Sequence, residues 1–449
     1  MFESVLVANR GEIARRVIRT CQRLGIKAIA VHSEADVDAL HKHEADESVL
    51  LGPAPPAESY LDGVRVLEAA RQTGAQAIHP GYGFLAENAA FAQRVLDAGL
   101  VWVGPSPAAM AAMGDKITAR NRMAAAGVPV APGTSEPVAD ADAAVAAAAD
   151  LGYPVMVKAS AGGGGIGMGI ATDETELRAA VATARSRAER FFGSPAVLLE
   201  RYLPDARHVE VQVLGLVGGR VVALGERDCS VQRRHQKVVE ETPSPAVSPG
   251  LRARMLAGAV RAGEAVGYLN AGTVECLVSG TGDDAEFVFL EMNTRLQVEH
   301  PVTELVTGLD LVEQQLHIAA GEDVTFDPDR LRAHGHAIEL RVYAEDPQRF
   351  LPGPGRITQW TEPTGEGVRV DAAYTAGDTV TPFYDPLLAK LCVYGETRPE
   401  ALARARTAVA GFEVSGPKVN LPFLAEVLDN AEFSAGRYDT GLVDRMRGR

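Results

Sequence analysis

The sequence predicts a mixed α/β and α+β chain, with an N-terminal doubly wound α/β domain followed by sheet-and-helix domains. Strand-like and helix-like runs alternate up to Gly114. A run of glycines, Gly162 to Gly165, follows a strand ending at Lys158, and residues 271–293 read as a hairpin bearing glutamates on one face. At 449 residues the chain exceeds what one core comfortably fills, so two or three domains are expected.

SVLVANRGEIARRVIRTCQRLGIKAIAVHSE reads strand, loop, helix, Gly25 stop, strand. GVRVLEAARQTGAQAIHP and FAQRVLDAGLVWVGPSP repeat helix then strand. Such alternation implies a parallel sheet with helices packed on it. The NRGE turn lacks a GxGxxG fingerprint and reads as scaffold rather than a dinucleotide site. GPSPAAMAAMGDK closes this region, which places the first domain at 1–114. A second domain, 115–330, contains a smaller inserted unit at 131–203 with YPVMVKASAGGGGIGMGI and the strand-like AVLLERYL. The third, 331–449, opens near HAIELRVYAEDP, turns at Pro352–Gly355 and ends in helix-like EALARARTAVAGF and NLPFLAEVL.

The formal net charge of −15 argues against nucleic acid as a partner, because bulk positive charge drives that binding. Any anion site must be built from locally clustered cations. Cys21, Cys229, Cys276 and Cys392 form no CxxC pair and suit a reducing compartment. MFESVLVANRGE meets charge too early for a signal peptide, and no apolar run reaches membrane-spanning length, so a cytoplasmic protein is expected.

In VMVKASAGGGGIGMGI, consecutive glycines let backbone N–H groups approach phosphate oxygens without Cβ clashes. No GK[ST] closes the loop, so it is not a Walker A motif. Lys158 and Lys116 favour nucleotide phosphates over a plain surface loop. In AGTVECLVSGTGDDAEFVFLEMN, alternation puts Thr273 and Glu275 on one face, away from Val274 and Cys276. On the second strand it puts Val288, Leu290 and Met292 opposite Glu291, Asn293 and Arg295. Paired carboxylates with an amide oxygen are hard ligands of the kind Mg²⁺ prefers beside phosphate. ERDCSVQRRHQKVVEE packs Arg227, Arg233, Arg234, His235 and Lys237 into a dense basic cluster, as an anion-binding cleft requires here.

With MGDK, KASAGGGGIGM, RHVEVQVL, ERDCSVQRRHQKVVEE, EMNTRLQVEHPVTE, HPGYGFLAEN, AEDP and ANRGEIA in this order, the chain resembles biotin carboxylase, an ATP-grasp enzyme, essentially end to end. The resemblance implies an ATP-grasp fold with an N-terminal α/β domain, a lid subdomain and a C-terminal biotin carboxylase domain. It implies ATP binding by Lys116, Lys158, Gly163, Gly164, Gly165, Met168, Glu200, Leu203, His208, Gln232, His235 and Leu277. Glu275, Glu291 and Asn293 match the family's metal ligands, for two Mg²⁺ ions with Mn²⁺ as an alternative. Lys237, Arg295, Gln297, Val298 (through its backbone) and Glu299 match the bicarbonate pocket, with Glu299 the general base. Pro301 disfavours helix just before it, so the chain must turn near Glu299. Arg341 matches the donor to the biotin ureido oxygen, and Asp385 an aspartate that orients it. His300 and Glu304 have no assigned chemistry and read as structural support.

The same resemblance implies ATP- and bicarbonate-dependent carboxylation of biotin, a substrate presented by a biotin carboxyl carrier protein. It further implies a carboxyltransferase partner and a homodimer, with neither nucleic acid nor membrane. No lysine has the Met-Lys-Met context of a carrier domain, so the chain is expected to be a subunit or a fragment of a longer carboxylase. Three positions depart from the pattern: Ala161, Ile166 where many bacterial relatives carry Arg, and Pro386 after Asp385. Ile166 leaves the glycine loop one cation short.

Overall fold

A computed structural model describes residues 1–160 and 168–448. The first unit is a five-stranded parallel sheet in the order Glu47–Gly52, Lys27–Ser33, Ser4–Val7, Ala77–His79, Val101–Trp102. Its central strands are buried on both faces, which explains why SVLV and KAIAV read as unbroken apolar runs. Gly11, at φ +64°, turns the chain sharply from the first strand into helix Gly11–Arg23. The edge strand Glu47–Gly52 is only partly buried, and its sequence carries no regular apolar alternation.

The inserted unit holds a three-stranded antiparallel sheet, Gly169–Ala171, Val155–Ala159 and Val197–Arg201. Helices Ala141–Leu151 and Glu174–Phe192 cover it, around a separate core that includes Val155, Val157, Leu177 and Val181. The expected phosphate contacts of Gly163, Gly164 and Gly165, and the departures at Ala161 and Ile166, lie outside the described residues.

The main platform is an eight-stranded antiparallel sheet. Its order is Glu286–Asn293, Asn270–Ser279, Arg207–Gly215, Val221–Arg233, Gln236–Thr242, His336–Tyr343, Leu387–Gly395, Val368–Ala372. Strand His336–Tyr343 pairs with Gln236–Thr242, so one hydrogen-bonded sheet joins strands on both sides of residue 330, which itself lies in a turn. Val209, Val211 and Val213 pack with Val274, Cys276 and Val278 and with Leu251 and Met255 of helix Pro249–Glu264. Burial of each such aliphatic side chain stabilises the sheet by about 1.5–3 kcal/mol.

The hairpin differs from strict alternation in one respect. Glu275 pairs with Glu291 while Cys276 pairs with Phe289, so Leu290 is an extra residue in a β-bulge. The bulge resets the facing: Phe287, Phe289 and Met292 enter the core, whereas Val288 and Leu290 line a cavity. The expected grouping of Val288, Leu290 and Met292 on one apolar face is therefore corrected. Among the described residues, no helix is long and apolar enough to cross a membrane.

Candidate active site

One register position across four neighbouring strands reads Glu291, Glu275, Glu210, Arg227. Lys237 rises from the adjacent hairpin and closes over this row. Its Nζ donates to Glu210 Oε2 at 2.6 Å, Glu275 Oε1 at 2.7 Å and Glu299 Oε1 at 2.7 Å. Burial alone would drive Lys237 toward neutrality, but the three carboxylates outweigh it and keep the ammonium charged. Glu299 is fully buried in the turn at the N-terminus of helix His300–Thr307; the helix already includes His300, the residue before Pro301, and the proline sits in its first turn, where its missing N–H costs nothing. Its other oxygen accepts from Arg341 Nη2 at 2.9 Å. Burial opposes ionisation of Glu299, yet Lys237, Arg341 and Arg227 hold its carboxyl well below the usual range.

Arg341 Nη2 also lies 2.6 Å from Glu240 Oε1, so the guanidinium is shared between two buried carboxyl groups. Burial first, then the Glu299 charge, push the Glu240 carboxyl up to about 7 against the pull of Arg341. Arg227, also fully buried, donates from Nε to Glu210 Oε1 at 2.6 Å and from Nη1 to Gln212 Oε1 at 2.8 Å and Thr303 Oγ1 at 3.0 Å.

Two cavities flank this cluster. One, of about 380 Å³, is lined by eight of the residues expected to bind ATP: Lys158, Met168, Glu200, Leu203, His208, Gln232, His235 and Leu277. Met156, Ile170, Val288 and Leu290 add apolar walls, and Thr440, Asp444 and Arg445 close it from the C-terminus. Lys158 pairs with Glu200. Lys116 does not line the cavity; its Nζ is 3.7 Å from Glu291 Oε2. The turn carrying Arg234 and His235 joins strands Val221–Arg233 and Gln236–Thr242, with φ of +48° and +66°. Positive φ at both positions suits a tight hairpin but is costly for residues other than glycine or asparagine.

The other cavity, of about 400 Å³, is lined by Arg295, Val298, Arg341 and Asp385 together with Arg10, Glu12, Tyr82, Phe84 and Tyr384. A chain of contacts joins the two cavities: His208 Nε2 is 3.2 Å from Glu275 Oε2, and Glu275, Lys237, Glu299 and Arg341 follow in direct contact.

Glu275 and Glu291 face each other in register, and burial followed by repulsion from Glu275 pushes the Glu291 carboxyl upward. Glu275 is itself held ionised by Lys237 and His208, so a hard divalent cation beside the pair would offset the repulsion that falls on the half-buried Glu291. Asn293 differs from expectation in detail, because its Oδ1 accepts from Arg295 Nη2 at 3.1 Å while its Nδ2 is buried without a partner.

Three family matches tile the chain. Residues 1–110 match the biotin carboxylase N-terminal domain, residues 115–326 the ATP-binding domain of the carbamoyl-phosphate synthase L chain, and residues 339–445 the biotin carboxylase C-terminal domain. A biotin carboxylase of Halalkalibacterium halodurans is 53% identical over 443 residues, covering 99% of this chain and 97% of that protein. The chain belongs to the biotin carboxylase family. The fold agrees with solved biotin carboxylases and is the expected ATP-grasp architecture. The Campylobacter jejuni enzyme, solved as a complex with a β,γ-ATP compound, superposes with a TM-score of 0.96 at 43% identity, covering 99% of each chain. The biotin carboxylase domain dimer of Hydrogenobacter thermophilus 2-oxoglutarate carboxylase, solved with MgADP and bicarbonate, gives 0.95 at 43% identity, covering 99% of this chain and 98% of that one.

Within this biotin carboxylase framework three expectations are corrected. Asp385 does not hold Arg341; its Oδ1 accepts from Leu387 N at 2.9 Å, and Glu240 and Glu299 hold the arginine instead. The basic cluster is largely neutralised, since Arg227 pairs with buried Glu210 and Arg233 with buried Glu345. The NRGE turn is more than scaffold, because Asn9, Arg10, Gly11 and Glu12 form a wall of the second cavity. Residues missed in the sequence include Glu87, which accepts from Arg295 Nε at 3.0 Å, and the trio Glu210, Arg227 and Glu240. RHVEVQVL carried a signal for one of them: His208, Glu210 and Gln212 share a polar face in a strand that is buried throughout.

His300 Nδ1 bonds Gln297 O at 2.8 Å, and Glu304 pairs with Arg16 at 2.6 Å and Arg369 at 2.7 Å.

Proposed function

We propose that the chain catalyses ATP- and bicarbonate-dependent carboxylation of biotin on a biotin carboxyl carrier protein, through carboxyphosphate, as the first half-reaction of a biotin-dependent carboxylase. The observation that carries this reading is the position of Glu299. It is buried between the two cavities, bonded to Lys237 on one side and Arg341 on the other.

ATP enters the cavity of Lys158, Met168, Glu200, Leu203, His208, Gln232, His235 and Leu277, with Lys116 and the glycine loop at its phosphates. Bicarbonate sits among Lys237, Arg295, Gln297, Val298 and Glu299. Glu299 is ionised when empty, and the arriving anion raises its proton affinity by adding negative charge beside it. It takes the bicarbonate proton, a carbonate oxygen attacks the γ-phosphorus, and the bond to ADP breaks. Carboxyphosphate then separates into CO₂ and phosphate; phosphate removes the ureido N–H proton of biotin, and that nitrogen attacks CO₂. Arg341 donates to the ureido oxygen as negative charge develops there, with Asp385 on the same cavity wall. Mg²⁺ or Mn²⁺ held by Glu275 and Glu291, with Asn293 nearby, would offset triphosphate charge when bound.

Partners in this reading are a carrier protein, a carboxyltransferase and a second copy of the chain. The division 1–114, 115–330 with lid 131–203, and 331–449 is proposed as its domain plan. Four free, buried cysteines and the acidic composition suit a reducing cytoplasm. The test is ADP release measured with and without bicarbonate, and with and without free biotin. ATP turnover indifferent to bicarbonate would end this reading.

A further inference from the structure

Lys390 lies at the centre of strand Leu387–Gly395, fully buried, with Arg341 its cross-strand partner on one side and Asp371 on the other. Its Nζ donates to Val298 O at 3.0 Å and lies 3.0 Å from Glu12 Oε2. The other Glu12 oxygen accepts from Tyr82 OH, so the ammonium is held from the N-terminal sheet unit as well as from its own strand. The bond to Val298 matters because a peptide is planar: fixing the carbonyl oxygen fixes the plane that ends in Glu299 N and Cα. The preceding carbonyl, of Gln297, is fixed as well, by His300 Nδ1 at 2.8 Å. Two successive carbonyls before Glu299 are thus held by buried side chains.

Stability alone does not account for a lysine here. Its strand neighbours Leu388, Ala389 and Leu391 are apolar and buried, and an apolar residue in place of a buried ion pair is commonly neutral or stabilising.

We infer that Lys390 is a positioning residue for bicarbonate use: by anchoring the Val298 carbonyl against Glu12, it sets the Val298–Glu299 peptide that presents the proton acceptor to the anion. This inference rests on the proposed biotin carboxylase activity and adds a residue that touches no substrate. Burial lowers the proton affinity of Lys390, but Glu12, Glu339 and Asp371 outweigh it and keep the ammonium charged.

The test compares the full chain with Lys390→Met and with Lys390→Met/Glu12→Gln, the second of which leaves no unpaired buried carboxylate at position 12. ADP release is measured against bicarbonate at saturating ATP and against ATP at saturating bicarbonate. The expected result in both variants is a bicarbonate KM raised about tenfold, the range controlled by one positioned hydrogen bond, with the ATP KM within about twofold of wild type. An unchanged bicarbonate KM would overturn the inference. A parallel rise of both KM values, or failure of both variants to fold, would show a general strut and overturn it equally. Wild-type turnover indifferent to bicarbonate would instead reject the activity, and this inference with it.

Discussion

Replacing Glu299 by Gln tests the chemistry with little change of shape. The carboxylate accepts two charge-assisted bonds, from Lys237 at 2.7 Å and Arg341 at 2.9 Å, and is fully buried. Each such bond contributes about 1.5–3 kcal/mol. Neither cation is left alone, however: Lys237 keeps Glu210 and Glu275, and Arg341 keeps Glu240. The amide oxygen can still accept from one cation while its NH₂ faces the other. A net stability loss of about 1–3 kcal/mol is therefore expected, read as a Tm lowered by a few degrees. The effect on turnover is much larger, because the variant has no group to take the bicarbonate proton. Bicarbonate-dependent ADP release should fall by roughly 10²–10⁴. ATP affinity, measured by calorimetry on the same sample, should stay within about threefold, since Glu299 does not line the cavity proposed for the nucleotide. Turnover within about tenfold of wild type would show that another group takes the proton. Loss of ATP binding in step with turnover would show that Glu299 holds the cavity of Lys158 and Glu200 together rather than serving as a base.

Arg341→Ala should spare bicarbonate-dependent ATP hydrolysis more than biotin carboxylation, and equal loss of both in a ¹⁴C-bicarbonate fixation assay would reject its role at the ureido oxygen. Glu240→Gln bears on pH and stability. The folded Glu240 carboxyl stands at about 7, above its ordinary 4.5, so its contribution is complete below pH 4.5 and is lost as pH rises through 7. That rise corresponds to on the order of 3 kcal/mol, so the Tm of the variant relative to wild type should climb across pH 4.5–7, and a difference flat with pH would refute it.

How far the site could be read from sequence depended on where each partner lies. Glu275 and Glu291 were legible because they face each other within one hairpin, where alternation and a short loop bring them together. The bulge at Leu290 was not, since an added residue leaves composition unchanged while reversing the facing of every residue on one side of it. Glu210 and Arg227 sit on neighbouring strands and look like ordinary polar alternation until the sheet order is known. Glu87, Glu12 and Tyr82 come from the N-terminal sheet unit, and only tertiary packing brings them to Arg295 and Lys390. Lys390 itself reads as an interruption in an apolar strand. The resemblance supplied Arg341 and Glu299, but not the carboxylate that competes for the arginine.

The sheet that joins strands on both sides of residue 330 limits how relatives of this chain can be recombined. A seam between residues 326 and 336 falls in a loop and looks permissive. Yet it assigns Arg341 to one parent and Glu240 and Glu299 to the other, and it makes strands Gln236–Thr242 and His336–Tyr343 pair across the join. Chimeras cut there inherit an interface inside a hydrogen-bonded sheet, where a mismatch of one side chain is felt as a buried unpaired charge. A seam before residue 115, where the parallel sheet ends and the large antiparallel one has not begun, leaves those pairs within one parent.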